Sequence, residues 1–288
     1  MKFGISPSPF LWWKEAKEFK NWILEAESCG YDAIFIPDHY NVMIPPFPTN
    51  DLVDAWSTLS YVAAKTKNVK IGTLVTPVPR WVPSQLAKVI ATVDWLSNGR
   101  VICGFGAGVF QDEFINYSPQ GYLGSPQERI ERFIEGLKII IKLWTEDRVT
   151  FTGKFYSLKD AVLLPKPKQK PYPPLWSGGL GPRMLKITAK YFDAWIPHRG
   201  AYPAEKYALG VKKLEKYLKE QGRSVNEFTF AVEEWISEKV EDDIRRIEKY
   251  AQAGCQYCVV EIPITPPLSN GKYIEAIRRF AREVMPSF

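Results

Sequence analysis

The chain has 288 residues, of which 45% are hydrophobic and 24% carry a charge. This balance is close to that of an average globular protein, and it excludes a disordered chain, a coiled coil and a small disulfide scaffold. The length corresponds to one large domain or two small ones. The net charge of +6 allows an anionic small ligand but falls short of the clustered basic surface that nucleic acid requires.

Two further counts restrict the chemistry and the compartment. The chain has only two histidines, too few for a histidine-rich metal site, so we expect no bound metal. Four cysteines in this length indicate a reducing compartment rather than a disulfide framework. The apolar run Phe10–Trp13 is too short for a signal peptide or a membrane span. We therefore expect a cytoplasmic protein without a membrane partner.

A short apolar run followed by a stretch with helical periodicity recurs along the chain. The predicted strands are Lys2–Ser6, Ala33–Pro37, Val69–Thr76, Val101–Phe105, Pro174–Ser177, Ala194–Pro197, Phe228–Trp235 and Tyr257–Ile262. The predicted helices are Glu15–Ser28, Asp54–Lys65, Leu86–Leu96, Gln127–Trp144, Pro182–Lys190, Pro203–Gln221, Glu241–Ala253 and Lys272–Val284. The strands are continuously apolar, which indicates burial on both faces, as in a parallel sheet.

This repetition predicts an α/β fold, and specifically a (β/α)₈ TIM barrel. An open doubly wound sheet is the alternative. Because the strand–helix units run along the whole chain, we expect a single domain over 1–288. Because this rhythm breaks after Gly108, we expect an insertion after strand 4, approximately residues 109–173. Aromatic residues between Phe110 and Ser125 would form a lid or simply pack beneath a long loop.

The carboxyl ends of barrel strands carry the chemistry in this fold. Both histidines of the chain, His39 and His198, lie at such ends. Asp38 and His39 would be an acid–base or hydrogen-bonding pair. The alternative is a capping aspartate beside a solvent-exposed histidine.

Two glycine-rich turns also follow predicted strands. Gly104–Gly108 is not a dinucleotide motif because Val109 occupies the place of its third glycine, so the turn would approach a flat ligand or merely be tight. Ser177–Gly181 precedes a helix, where exposed amides would bind an anion such as phosphate, unless the segment is a plain flexible loop. Cys255 and Cys258 lie at the opposite end of the barrel and are interpreted as packing residues.

The chain resembles the bacterial luciferase-like superfamily of flavin and deazaflavin barrel enzymes, nearly end to end. The stretches that carry the resemblance are Gly72–Pro77 with Arg80 and Pro83, Ala91–Arg100, Gly104–Gly108, Gln127–Trp144, Phe151–Tyr156 and Pro173–Gly179. Oxygen-using flavin members tend to carry Glu-His-His after the second strand. Asp38-His39-Tyr40 instead looks like the coenzyme F420 reductases and dehydrogenases.

This resemblance implies an F420-dependent oxidoreductase that moves hydride between the deazaflavin and a small organic substrate. Asp38 would contact the deazaflavin, His39 would lie near its ring as acid/base, and Thr73–Leu74 would be the family's non-prolyl cis peptide. The other implied cofactor contacts are Thr76, Ala107 and Gly108 by hydrogen bonds, and Ser177, Gly178, Gly179, Leu180 and Gly181 around the phosphate. The resemblance also implies a homodimer.

Three other functions stay open. The first is an FMN-dependent monooxygenase of the same fold, and the second is a non-catalytic flavin-binding relative. The third is a glycoside hydrolase that would use Glu233 or Glu234 with Glu261, although one of the adjacent glutamates must point away from the lumen. Val109 stands where the sugar-phosphate dehydrogenase branch carries a glutamate base. This departure argues against glucose-6-phosphate oxidation. The Asp38-His39-Tyr40 ending looks more like the methylenetetrahydromethanopterin reductase branch, although the long middle segment and His198-Arg199 fit that branch less well.

Overall fold

The computed structural model describes residues 1–7, 15–41, 52–198, 200–262 and 270–288. Its strands are β1 (Lys2–Ser6), β2 (Ala33–Ile36), β3 (Lys70–Thr73), β4 (Thr76–Pro77), β5 (Val101–Gly106), β6 (Val149–Thr152), β7 (Ser157–Ala161), β8 (Leu175–Ser177), β9 (Ala194–Trp195), β10 (Thr229–Trp235) and β11 (Tyr257–Glu261). Eight of them form parallel pairs in the order β1, β2, β3, β5, β8, β9, β10, β11 and back to β1. The pairing of β3 with β5 closes the sheet, so the barrel is confirmed over the open sheet.

Helices alternate with the strands as expected. They are α1 (Ala16–Ser28), α2 (Ala55–Lys65), α3 (Pro83–Leu96), α4 (Gln111–Tyr117), α5 (Pro126–Thr145), α6 (Pro182–Tyr191), α7 (Ala204–Glu220), α8 (Val240–Gln252) and α9 (Asn270–Glu283). Proline in the first turn starts α3, α5 and α6, where its missing N–H costs no helical hydrogen bond. Among the described residues, no helix is long and apolar enough to cross a bilayer.

The segment between β5 and β8 contains both a helix of the barrel and additions to it. The Trp144 indole of α5 donates to the Ala87 carbonyl of α3 at 3.0 Å, and Phe133 stacks on Phe192 at 6.1 Å. Helix α5 therefore occupies the helix position of the fourth strand–helix unit. Helix α4 and the antiparallel pair β6–β7 are the additional elements.

The barrel lumen is filled by side chains, so it is a packed core and not a pore. Phe35 contacts Trp176 at 5.3 Å between ring centroids, and Trp176 meets Tyr257 edge-on at 4.9 Å. Cys255 and Cys258 are buried free thiols that pack in the core outside the lumen, and burial raises the pKa of Cys255 to about 11. A buried apolar environment of this kind is typical of a structural cysteine, and it keeps the Cys255 thiol protonated near neutral pH.

Candidate active site

Arg80 is the centre of a buried charge network at the carboxyl ends of β2 and β5. It ends a short 3₁₀ helix, Val78–Arg80, and only 2% of its surface is exposed. Its guanidinium binds the carboxylate of Asp38 and donates to the main-chain carbonyl of Asp38 at 3.0 Å. The same group lies 3.3 Å from Glu113 Oε1 and 3.9 Å from the ring centre of Tyr40. Arg80 thus holds two carboxylates with charge-assisted hydrogen bonds.

Asp38 is completely buried, and among the described residues only one of its two carboxylate oxygens has a hydrogen-bond partner. Burial raises the pKa of its carboxyl, and the neighbouring Arg80 guanidinium opposes that rise. Its Oδ1 binds Arg80, whereas its Oδ2 has no hydrogen-bond partner among the described residues. The Thr76 hydroxyl lies beside it but donates to Thr73 Oγ1 at 3.0 Å. Because an unpaired buried acceptor is unfavourable, Oδ2 marks a place where a ligand donor would fit.

Glu113 is a site residue that the sequence analysis missed. It lies in the first turn of α4 with 1% of its surface exposed, and both carboxylate oxygens lie 3.2 Å from His39 Nδ1. It also accepts the Tyr40 N–H at 2.6 Å. Burial acts to raise the pKa of Glu113, but the His39 hydrogen bond and the Arg80 charge outweigh it, so the pKa is lowered. An acidic residue in the first turn of a helix is ordinarily explained by its interaction with the helix dipole. For this reason the sequence did not mark Glu113 as a candidate site residue.

The support behind the site is a chain of hydrogen bonds between β3, β4 and β5. The Trp56 indole donates to Thr76 Oγ1 at 3.1 Å, Thr76 donates to Thr73, and Thr73 donates to the Gly104 carbonyl at 3.0 Å. All three side-chain links are buried. The two threonine hydroxyls thereby fix the turn that interrupts the third predicted strand.

The cis peptide lies one residue later than expected, at Leu74–Val75 and not at Thr73–Leu74. The Leu74 N–H still donates to the Ile36 carbonyl at 3.0 Å, continuing the ladder between β2 and β3. The Thr73–Leu74 peptide therefore remains part of the strand, and the chain turns only after it. This turn also divides the single predicted strand Val69–Thr76 into β3 and β4.

Val75 explains two glycines, one that ends β5 and one that follows β8. A Cβ atom at Gly106 would lie 2.9 Å from the Val75 side chain, and one at Gly178 would lie 3.0 Å from it. These glycines make room for Val75. Gly108 has a φ of +86°, and its carbonyl accepts from Arg129 at 2.6 Å, so it forms a fixed tight turn next to Ala107.

The Ser177–Gly181 turn presents main-chain amides outward. The Trp195 indole binds the Gly179 carbonyl at 2.8 Å, and the Tyr202 hydroxyl binds the Leu180 carbonyl at 2.6 Å. In a trans peptide the next N–H points opposite to the carbonyl, so the Leu180 and Gly181 amides face away from these two anchors. They lie just before the first turn of α6, a geometry that suits an anion.

His198 and the adjacent glutamates of β10 lie on other strands of the barrel. The His198 side chain is exposed and accepts the Gly200 N–H at 3.1 Å. Glu234 lies 3.6 Å from Arg246 on α8, so it faces the helical layer. Since side chains alternate along a strand, Glu233 faces the lumen. Only one of this adjacent pair is thus on the inner face, as expected.

A profile described as luciferase-like monooxygenase matches residues 4–257, so the chain belongs to this family. An F420-dependent glucose-6-phosphate dehydrogenase of Kineococcus radiotolerans is 36% identical over 60% of the chain and 50% of that protein. One from Microbacterium testaceum is 32% identical over 74% of the chain and 61% of that protein. An F420-dependent hydroxymycolic acid dehydrogenase of Mycobacterium tuberculosis is 30% identical over 59% and 46%. The chain therefore spans about half to three-fifths of these relatives.

Solved structures share the fold over the whole chain. An F420-dependent secondary alcohol dehydrogenase, in complex with an F420–acetone adduct, superposes with a TM-score of 0.82 and 21% identity, covering 99% of this chain and 98% of that one. The F420-dependent tetrahydromethanopterin reductase of Methanopyrus kandleri gives 0.80 and 20%, covering 100% and 99%. An FMN-containing Baeyer–Villiger monooxygenase of Pseudomonas putida gives 0.75 and 14%, covering 100% and 99%. At these identities the similarity establishes the fold alone.

Proposed function

We propose that this chain is a coenzyme F420-dependent oxidoreductase that transfers hydride between the deazaflavin and a small organic substrate. The observation that carries the proposal is the buried Oδ2 of Asp38, an acceptor without a partner among the described residues. This atom lies at the carboxyl ends of the strands in a barrel of the luciferase-like family. The F420-dependent names of the relatives support the same choice. When bound, the deazaflavin supplies two-electron hydride chemistry at its C5 atom.

Three parts of the chain would hold this cofactor. We propose that Asp38 accepts a ring N–H and that the Leu74–Val75 turn, fixed by Thr73 and Thr76, backs the ring. The Ala107–Gly108 turn would bind the cofactor through its main chain. The amides of Ser177–Gly181 would bind the phosphate.

His39 would manage the proton that accompanies hydride transfer. Its Nδ1 is engaged by Glu113, and the ring lies 5.0 Å from that of Phe110. We propose that Nε2 takes the hydroxyl proton when an alcohol is oxidised and returns it when a carbonyl is reduced. General acid–base catalysis of this kind requires no metal.

We further propose a single-domain, cytoplasmic homodimer. The support for self-association is an exposed apolar surface at the end of α3, where Trp95 is 61% exposed and Leu96 is 48% exposed. Light scattering of the wild type and of Trp95→Asp tests it. A dimer that becomes a monomer on substitution is expected, and a wild-type monomer would contradict it.

Tyr202→Phe is expected to weaken F420 binding about three- to tenfold, because it removes one hydrogen bond that orients the phosphate-binding amides. The edge-on contact of the ring with Trp195 at 5.1 Å is kept. Fluorescence titration gives the Kd of F420 and of the corresponding deazariboflavin, which lacks the phosphate. The Kd of the deazariboflavin should not change; an equal effect on both ligands would disprove a phosphate role for this turn.

The activity itself is tested by supplying a panel of secondary alcohols and aldoses with oxidised F420 in the absence of oxygen. Loss of the visible absorbance of the deazaflavin with at least one substrate is the expected result. Turnover that requires FMN, a flavin reductase and oxygen would instead identify an FMN monooxygenase. The FMN-containing structural neighbour makes that the second candidate.

A further inference from the structure

Glu113 contacts three consecutive residues of the segment after β2, and His39 is the first of them. Its Oε1 accepts the Tyr40 N–H at 2.6 Å and the Asn41 N–H at 3.4 Å, and both of its oxygens lie 3.2 Å from His39 Nδ1. The carboxylate is buried, so water does not compete for these contacts. Arg80 lies 3.3 Å from the same oxygen and balances its charge.

An ionised carboxylate can only accept hydrogen bonds. The contact with Glu113 therefore requires the proton of the imidazole to be on Nδ1, which leaves the lone pair of a neutral ring on Nε2. Among the described residues, the hydrogen bonds of His39 are made through Nδ1. Glu113 stays ionised because its hydrogen bonds and Arg80 hold its pKa below the usual value.

We propose that Glu113 is a positioning residue that fixes His39 in the Nδ1–H tautomer, so that Nε2 is the atom that exchanges the substrate proton. The catalytic part rests on the proposed function. In alcohol oxidation, the O–H bond breaks and its proton goes to Nε2, while the hydride from the carbinol carbon goes to the oxidised F420 and a carbonyl forms. In the reverse direction Nε2–H returns the proton, so each cycle leaves Glu113 unchanged.

Arg80 connects the residues proposed to handle the proton, His39 and Glu113, with the proposed cofactor contact, Asp38. The same guanidinium binds the Asp38 carboxylate and lies against Glu113, so one rigid group sets the spacing between Asp38 and His39. Precise placement of an acid–base group relative to the reacting atoms is worth large rate factors. The tautomer and the spacing thus depend on one buried network.

A competing explanation is that Glu113 merely clamps the loop through the Tyr40 and Asn41 amides. Glu113→Gln separates the two roles. The amide oxygen of glutamine can still accept from Tyr40 and Asn41, whereas its NH₂ group would face His39 Nδ1 and donate to it. The loop is then kept, but the histidine proton is moved to Nε2. Asp112→Asn is the matched control, because Asp112 is exposed in the same helical turn.

The experiment is long-range ¹H–¹⁵N NMR of protein labelled with ¹⁵N-histidine, at pH about 9, where an ordinary imidazole is neutral. The chain has only two histidines, so His198→Gln assigns the spectrum. We expect His39 to be the Nδ1–H tautomer in the wild type and in D112N, and the Nε2–H tautomer in E113Q. A wild-type Nε2–H tautomer, or an unchanged tautomer in folded E113Q, would overturn the proposal.

Kinetics complete the test. In E113Q we expect kcat for the F420 reaction to fall about 10²- to 10⁴-fold with little change in KM or in the Kd of F420, whereas D112N keeps wild-type kcat. Unchanged kcat in E113Q would overturn the catalytic part. Because the tautomer is measured without cofactor, a switched tautomer in a protein that never reduces F420 would support the positioning and refute the proposed function.

Discussion

Replacing Arg80 with methionine is expected to lower the free energy of unfolding by about 3–5 kcal/mol, because it leaves buried carboxylates without their partner. Asp38 would lose both hydrogen bonds that Arg80 gives it, and Glu113 would lose its nearest cation. Methionine fills much of the same volume, so the loss reports the charge and not a cavity. Urea unfolding followed by circular dichroism gives the difference. Arg278→Met, which breaks an exposed pair with Glu25, should have a much smaller effect.

The loss of stability caused by Arg80→Met should depend on pH in a defined direction. Burial already raises the pKa of Asp38, and without the opposing guanidinium that pKa would rise further. A carboxyl whose folded pKa exceeds the unfolded value of about 3.9 lowers stability progressively as pH rises through that interval. The stability lost in R80M should therefore be smaller at pH 5 than at pH 8. An equal loss at both values would contradict a charge-based penalty.

Replacing His39 with alanine is expected to slow hydride transfer about 10²- to 10⁴-fold, because the substrate proton loses its acceptor. The Kd of F420 should hardly change, since the proposed ring contact comes from Asp38. Single-turnover stopped-flow spectroscopy, with enzyme and F420 premixed, separates the chemical step from binding. His198→Ala is the control, since the His198 side chain is exposed and accepts the Gly200 N–H within its own loop. An unchanged rate in H39A across pH 5–8 would remove His39 from the mechanism.

The barrel could be predicted from sequence because each strand–helix unit carries its own local signal. Strands such as β2 are continuously apolar because they are buried between the lumen and the helices. Helix α4 gave no such signal, since only two of its seven residues are buried. Closure of the barrel depends on contacts between strand–helix units. The sequence predicted closure only through the number of these units.

The site was only partly predictable for the same reason. Asp38 and His39 follow a strand directly, and their place at the barrel rim is a consequence of local order. Glu113 lies more than 70 residues away and reaches His39 only because α4 folds over the rim. Gly106 was interpreted as part of a turn that approaches a flat ligand or is merely tight, and Gly178 as part of an anion-binding turn or a flexible loop. The structure shows that both glycines accommodate Val75, which no spacing rule reveals.

Dependence on coenzyme F420 is tested most directly by an anaerobic equilibrium titration of the protein with F420 and, separately, with FMN. Quenching of tryptophan fluorescence reports both ligands, because Trp56 and Trp195 support the two halves of the proposed site. We expect saturable binding of F420 with a stoichiometry of one per chain and much weaker binding of FMN. Tight binding of FMN with no binding of F420 would contradict it.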